Sequence, residues 1–565
     1  MSDQQQSSEE QNIESQQSSG SHYSLRGRYY VKKNERGQIV VLTDGVADAL
    51  DRCKVSYRNS VHIIGSVANA LGHDIKDLVL NKSSFNEARK RLREQKANNL
   101  KILLKNQDIQ YIVVHWDGKI IPDDILCKKI DRVPIVISSR DIEKIIDVPA
   151  LENGKGVTQA QAIYRALTDW GLHTFVEAVC CDTTNANLGH KAGAAVILEQ
   201  MLNKNLLYLP CRHHIFELIL AAIFSLKFPG STGPDVPIFK AFKEFWPRID
   251  KNKYKSGKSK IHLHLRHRIG EIVIFIKDNL QNALPRDDYK ELLELSLIFL
   301  GEGSEIKFRK PGAYHHARWM AKAIYTIKMY LVEEQFPIES SKKESLFDIC
   351  QFIVFVYLEA WYNATLAIKA PNLDLQLMKK MYDYKNIDEQ ISTAALKKFQ
   401  NHLWYLSSEC SALSFFDKNI SLDIKRQMVK ALDNIVDVEF DPPNRFYVNS
   451  MSQIEALLDK EMNYFINSNS LKLFDRFNLS REFLSCDPAT WPINEKYLES
   501  RNLFKTLKVV NDSAERAVKL TQDYINILTR DEDQKQYLIS VVEEHRKNFP
   551  NANKQTIWKK LKNNN

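Results

Sequence analysis

Residues 1–22, "MSDQQQSSEEQNIESQQSSGSH", contain no apolar cluster. A segment with so little to bury cannot offset the entropy of ordering, so 1–24 is expected to be a disordered tail. From Gly45 to about Leu104 the apolar positions recur at three- and four-residue spacing, as in "VADALDRCKV" and "SVHIIGSVANALG". That is the period of helices buried along one side. "SSFNEARKRLREQKANNLKILL" continues the pattern and sets Ser84 three residues before Glu87, the spacing of a capping box. Residues 25–107 therefore read as a helical N-terminal region. The run Arg89, Lys90, Arg91, Arg93 and Lys96 on its last helix fits either a solvated charged face or a DNA-facing one.

Near residue 108 the period changes. "IQYIVVHWDG" is a strand ending at Asp117, "VPIVISS" is a second strand, and "IEKIIDVPAL" a third. "TQAQAIYRALTDWG" is an amphipathic helix stopped by Gly171. "FVEAVCCD" and "LLYLPC" are further strands, with the helix "HKAGAAVILEQML" between them and "HHIFELILAAIFSL" after them. The later strands are nearly all apolar, as a sheet covered on both faces requires. After the Gly/Pro-rich break "KFPGSTGPDVP", strand signals almost vanish and helix follows helix to about residue 500. "NDSAERAVKLTQDYINILT" closes the pattern, with Ala514, Val518, Thr521, Ile525 and Leu528 on one stripe.

Three strands followed by α, β, α, β is the order of an RNase H-like domain. The expected fold is α/β: an RNase H-like mixed sheet flanked by helices, interrupted by a large all-α insertion, with the small helical region in front. The expected boundaries are 108–230 for the first part of the core, 231–500 for the insertion, 501–550 for closing helices and 551–565 for a basic tail. Composition changes this picture little: 44% hydrophobic, 26% charged and a net charge of +9 suit a globular protein with a mild attraction for polyanions. The eight cysteines show no CxxC spacing, which fits reduced thiols in an intracellular protein. "LFDICQFIVFVYLEAWYNATLAI" is interrupted by Asp348, Gln351 and Glu359, so it is expected to be a buried helix rather than a membrane span. No signal peptide is read at the N-terminus, and no membrane partner is expected.

In such a sheet the first and fourth strands are neighbours, so Asp117 and Asp182 should end adjacent strands. Two carboxylates there repel unless a cation lies between them. Mg²⁺ takes oxygen ligands and tolerates a sparse cage because it keeps its waters. Two such ions about 4 Å apart can serve phosphodiester chemistry by activating the attacking oxygen and stabilising the leaving one. The small residues of "TTNAN" after Asp182 would leave room for them. Each acid also has a plainer reading: Asp182 as a turn residue, Asp117 in the hairpin-like "WDGK", and Glu515 as the partner of Asp512 in a capping box.

"CDTTNANLG", then "CRHH" after the next strand, "ARW" within the helical stretch and "NDSAERAVKL" beyond it together resemble the hAT group of DDE transposases. The resemblance spans roughly residues 108–530 and implies an acid triad of Asp117, Asp182 and Glu515 holding Mg²⁺ or Mn²⁺, two ions in all. It implies a supporting Cys211 with His214 near DNA, and Arg318 and Trp319 on a phosphate and an unstacked base. Otherwise Cys211 and His214 pack behind a site or make half of a zinc site, and Trp319 is core. The run 251–268 holds seven Lys or Arg and no acid. Lys253, Lys255, Lys258 and Lys260 could track a DNA backbone, or the run is an exposed flexible loop. The implied function is Mg-dependent DNA cleavage and strand transfer in the nucleus on transposon ends, with a homo-oligomer allowed. The alternatives are a transposase-derived nucleic-acid-binding or scaffolding protein without catalysis, and an RNase H-like nuclease.

Overall fold

The computed structural model describes residues 23–26, 29–123, 128–230, 236–282, 284, 287–303, 308–311, 321–434, 445–525 and 528–550. The chain divides into two compact units. One gathers the described parts of 1–107, 121–129 and 519–565; the other holds those of 108–120 and 130–518.

The first unit opens with an antiparallel pair, β1 (Tyr23–Arg26) and β2 (Tyr29–Lys32), in which Tyr23 faces Lys32. Helices α1 (Asp44–Arg52), α2 (Tyr57–Ala70) and α3 (Lys82–Lys105) follow. Each begins at a side-chain cap: Thr43, Ser56 and Asn81 accept from the backbone N–H groups of Val46, Asn59 and Ser83. The capping-box start expected at Ser84 is therefore displaced, because Asn81 already satisfies the first turn. Leu42, Ala47, Leu50 and Phe85 form the core, and helix Glu532–Asn548 packs against α1 and α3. That packing joins the last helix to the N-terminal ones, a grouping the expected boundary at 501–550 does not contain.

The basic face of α3 is neither solvated nor open to DNA along most of its length. Arg89 and Arg93 are buried and grip the buried Asp51: Arg89 Nε donates to Oδ1 at 2.7 Å, and Arg93 donates to Oδ2 and Oδ1 at 2.7 and 2.6 Å. Lys96 pairs with Asp48. Placed one helical turn apart, Arg89 and Arg93 reach the same carboxylate, which is why the run looks like a surface stripe in sequence.

The second unit is built on a five-stranded sheet in the order β10–β9–β3–β6–β7. These strands are β3 (Ile112–Trp116), β6 (Ile135–Ser138), β7 (Glu143–Asp147), β9 (Val176–Cys180) and β10 (Leu207–Tyr208). β3, β6 and β7 run antiparallel in sequence, while β9 and β10 lie parallel to β3. The first and fourth strands of the expected series thus stand side by side. Unforeseen were β4 (Lys119–Asp123) and β5 (Lys128–Arg132), short strands between β3 and β6. Asp131 and Arg132 pair with β8 (Ala150–Leu151). β3 bonds to β6 and β9 but not to β4, so Asp117–Gly118 is no hairpin turn.

Helices α4 (Gly156–Asp169), α5 (Asn185–Leu188), α6 (Ala194–Leu202) and α7 (Arg212–Lys227) alternate with the parallel strands. α4 packs on α6, and α7 packs on helix Glu389–Phe399 from the insertion. Among the described residues of 231–500 there are helices and turns but no strand. One helix there is long and apolar enough to cross a membrane, Ser340–Thr365 at a mean hydropathy of 1.3, and 72% of that window is buried inside the protein. The chain is mixed α/β, with a small mixed sheet among many helices.

Candidate functional site

The register of the two central strands decides where the first two acids go. His115 on β3 pairs with Cys180 on the parallel β9. Asp117 and Asp182 each lie two residues beyond that last pair, at neighbouring strand ends, near enough for the Asp182 charge to act on the Asp117 carboxyl.

The Asp182 carboxylate is held firmly on one oxygen. Its Oδ1 accepts from Thr184 N at 3.1 Å, Thr184 Oγ1 at 2.7 Å and Asn187 Nδ2 at 2.6 Å. The Asn187 amide has its own orientation fixed, since its Oδ1 accepts from Trp116 Nε1 at 2.9 Å. A chain of two hydrogen bonds thereby ties the ring before Asp117 to the carboxylate of Asp182. Within the "TTNAN" segment Thr184 and Asn185 are exposed, while Asn187, in α5, is buried with its amide turned to Asp182 and Trp116. Gly156 lets α4 approach this loop, since a Cβ there would lie 2.6 Å from the Ala186 carbonyl oxygen and 2.2 Å from that of Ala192.

Asp117 has the opposite environment. It is only partly open to solvent, and no hydrogen-bond donor reaches its carboxyl among the described residues. Burial first, and then the Asp182 charge, raise its carboxyl from the ordinary 3.8 to about 6, with Lys119 pulling weakly the other way.

The third acid is brought to the same end by a clasp rather than by the sheet. Asn511 donates from Nδ2 to the Trp116 carbonyl oxygen at 2.8 Å and from its backbone N–H to Cys211 Sγ at 3.2 Å. Arg212 N donates to the Val509 oxygen at 3.0 Å, and Cys211 N to the Cys181 oxygen at 2.8 Å. Helix Asp512–Tyr524 begins at this clasp, and Glu515 N bonds back to the Asn511 carbonyl at 3.1 Å. Asp512 is the first helical residue, one place too late to form a capping box with Glu515. The charge of Glu515 is felt by the buried Cys211 thiol, while those of Asp182 and Asp117 are felt by Cys181. Burial raises both thiols, so neither is a nucleophile at neutral pH. Asp117 and Asp182 thus lie near Cys181, and Glu515 near Cys211, whose backbone N–H bonds to the Cys181 oxygen. Among the described residues, however, no three His, Cys, Asp or Glu side chains are grouped closely enough to hold a metal ion.

Cys211 is buried with its sulfur accepting from Asn511 N, and among the described residues no further His, Cys, Asp or Glu joins it and His214 in a group able to hold a metal ion. His214 is partly exposed and feels Asp182 and Lys398, its basicity lowered mainly by burial. His213 faces inward instead, stacked on Trp361 with ring centroids 4.4 Å apart. Arg318 and Trp319 lie outside the described residues. The basic run is not a loose loop: Gly257 N bonds to the Phe299 carbonyl at 2.7 Å, and Ile261 and Leu265 are buried. Within it Lys253 and Lys260 are exposed, Lys258 pairs with Glu302 at 2.7 Å, and Lys255 is engaged by the buried Glu333.

No protein-family model matches the chain, and no curated protein matches it. Sequence reasoning passed over Asn187, Asn511 and Trp116. The signal available for Asn187 was an amide five residues after Asp182, within reach of one helical turn; for Asn511 there was none, because its partners lie far along the chain.

Proposed function

We propose that this chain is a hAT-like DDE transposase, or a protein derived from one, with an RNase H-like core split by its helical insertion and a place of action on DNA in the nucleus. The reading rests on one observation above all: two carboxylates just beyond the ends of adjacent parallel strands, one orientated by Asn187 and Thr184 and the other without a donor among the described residues. Such a pair fits a hard divalent cation, which wants oxygen ligands and lowers the repulsion between them. Asp117 and Asp182 would hold Mg²⁺ or Mn²⁺, and Glu515 would complete the set by approaching from the clasped helix. When bound, the ions supply an activated oxygen nucleophile and stabilisation of the leaving oxygen. The chain's own part is positional. Asn187 keeps the Asp182 lone pairs aimed, Asn511 keeps the Glu515 helix at the strand ends, and His214 borders the pair as a group for a phosphate.

The test is DNA cleavage and strand joining with Mg²⁺ or Mn²⁺ on duplex DNA-end substrates. Joining by the wild type, lost to background in Asp117→Asn, Asp182→Asn and Glu515→Gln, supports the transposase. Cleavage without joining favours the RNase H-like nuclease. Binding with neither reaction favours the transposase-derived scaffold. The scaffold reading draws on the finding that no three possible ligands are grouped for a metal ion among the described residues.

A further inference from the structure

Near the acid pair lies a group of basic side chains that no carboxylate answers among the described residues. Lys398 and His402 stand one turn apart at the end of helix Glu389–Phe399 and the 3₁₀ turn Gln400–His402. The segment 445–447 crosses that turn, fixed by a bond from Phe446 N to the Leu403 oxygen at 3.0 Å and by the Arg445 guanidinium on the Asn401 oxygen. Arg445 lies 5.5 Å over the Trp404 ring and 4.7 Å over that of Tyr447. Neither Lys398 nor Arg445 makes an ion pair among the described residues. His402 is 9% exposed, its Nδ1 has no hydrogen-bond partner, and neither does the buried Nε of Arg445.

Three other buried cations of this unit are matched by acids: Arg212 by Asp374 at 2.5 Å, Arg476 by Glu409 at 2.6 Å, and Lys328 by Glu291 at 2.5 Å. Here the charges acting on His402 are Lys398, His214 and Arg445, all basic, and with burial they press its imidazole down to about 3. Unmatched, partly desolvated donors of one sign are costly to the fold, which makes them candidates for an external anion.

The position of the group indicates which anion. His214 feels both Lys398 and Asp182, so it links the basic group electrostatically to the acid pair. On the far side Tyr447 is 44% exposed and its hydroxyl lies 3.4 Å from His190 Nε2, on the loop that begins at Asp182. A half-exposed aromatic ring grouped with an arginine and the His190 ring suits contact with a base, and the lysine and histidine suit the adjoining phosphate. Resting on the DNA reading above, we propose that Lys398, His402, Arg445 and Tyr447 form a strand-binding site for a DNA backbone phosphate and its base, next to the one cut at Asp117 and Asp182.

The site is tested in EDTA, where no cleavage interferes, by fluorescence anisotropy with a labelled duplex bearing a single-stranded 3′ overhang. Lys398→Gln and Arg445→Gln are each expected to weaken binding about tenfold and to lower the slope of log affinity against log salt by about 0.9. Tyr447→Ala should weaken overhang binding about tenfold with no change in that slope. Arg445→Lys should restore the slope, and Lys496→Gln, an exposed position on another helix, should change nothing. Thermal melting of each variant verifies that it folds. Wild-type affinity and slope in both Gln variants would overturn the site while leaving the catalytic reading intact. Lost binding in those variants, with no metal-dependent cleavage by the wild type, would support the site and defeat catalysis. A wild type that ignores DNA altogether would overturn both.

Discussion

Asp51 in the N-terminal helical unit and the Asp117–Asp182 pair at the sheet end treat buried carboxylate charge in opposite ways. Asp51 is fully buried and meets two arginines, with every contact inside hydrogen-bonding distance. Asp117 lies near enough to another acid to feel its charge and has no donor among the described residues. The first arrangement is complete as it stands, a structural ion cluster that fixes how α1 and α3 meet. The second is incomplete within the protein and gains from an added cation. Buried charges are normally matched, so an unmatched pair held in place by a second layer of hydrogen bonds is more informative about function than any number of matched ones.

The largest expected effect breaks the matched side. Asp51→Ala leaves two buried guanidiniums without a counter-charge and should cost about 3–5 kcal/mol in urea unfolding. A loss below about 1 kcal/mol would mean the arginines find water, and the contrast would fail. On the unmatched side the sign reverses. The Asp117 carboxyl titrates higher in the folded chain than in the unfolded one, so its contribution to stability is full below the ordinary carboxylate range and is lost as pH rises through about 6. Asp117→Asn should therefore stabilise the protein by about 2 kcal/mol at about pH 8 in EDTA, and by nothing measurable below about pH 4. Adding Mn²⁺ at the higher pH should stabilise the wild type and not the variant, read as a shift in melting temperature.

Smaller effects test the layer that holds the acids. Asn511→Ala removes the bond to the Trp116 carbonyl and should cost about 1–2 kcal/mol, with faster amide exchange in the first turn of helix Asp512–Tyr524. Asn187→Ala should cost about 1 kcal/mol, since the Trp116 N–H loses its acceptor and Asp182 one of its donors. If cleavage is observed, the same change should slow it by about 10–100-fold, as loss of a group that orients a metal ligand does. Unchanged cleavage would show that Thr184 alone is enough to aim the carboxylate.

Parts of this were visible in the sequence because they depend on local period. The apolar runs at 112–116, 135–138 and 176–180 and the amphipathic helix near 156–169 were read close to where they lie, since burial leaves its period in the chain. β4 and β5 were missed because "GKIIPDDILCKKIDR" alternates poorly and holds Pro122 and three aspartates. The basic stripe of α3 was misjudged for a different reason. A charge run shows which face is polar but not whether an acid, here Asp51, waits opposite it.

The sequence by itself determined the order of strands and helices, the helical character of the insertion, and the presence of acids at two strand ends, all of which follow from neighbours a few residues apart. Only the tertiary structure decided that Asp117 and Asp182 follow neighbouring strand ends, and that Asn511 fastens the Glu515 helix to Trp116 and Cys211. It alone left Lys398 and Arg445 without an ion pair among the described residues. Those outcomes depend on contacts between residues as much as 395 positions apart, where no local period carries information.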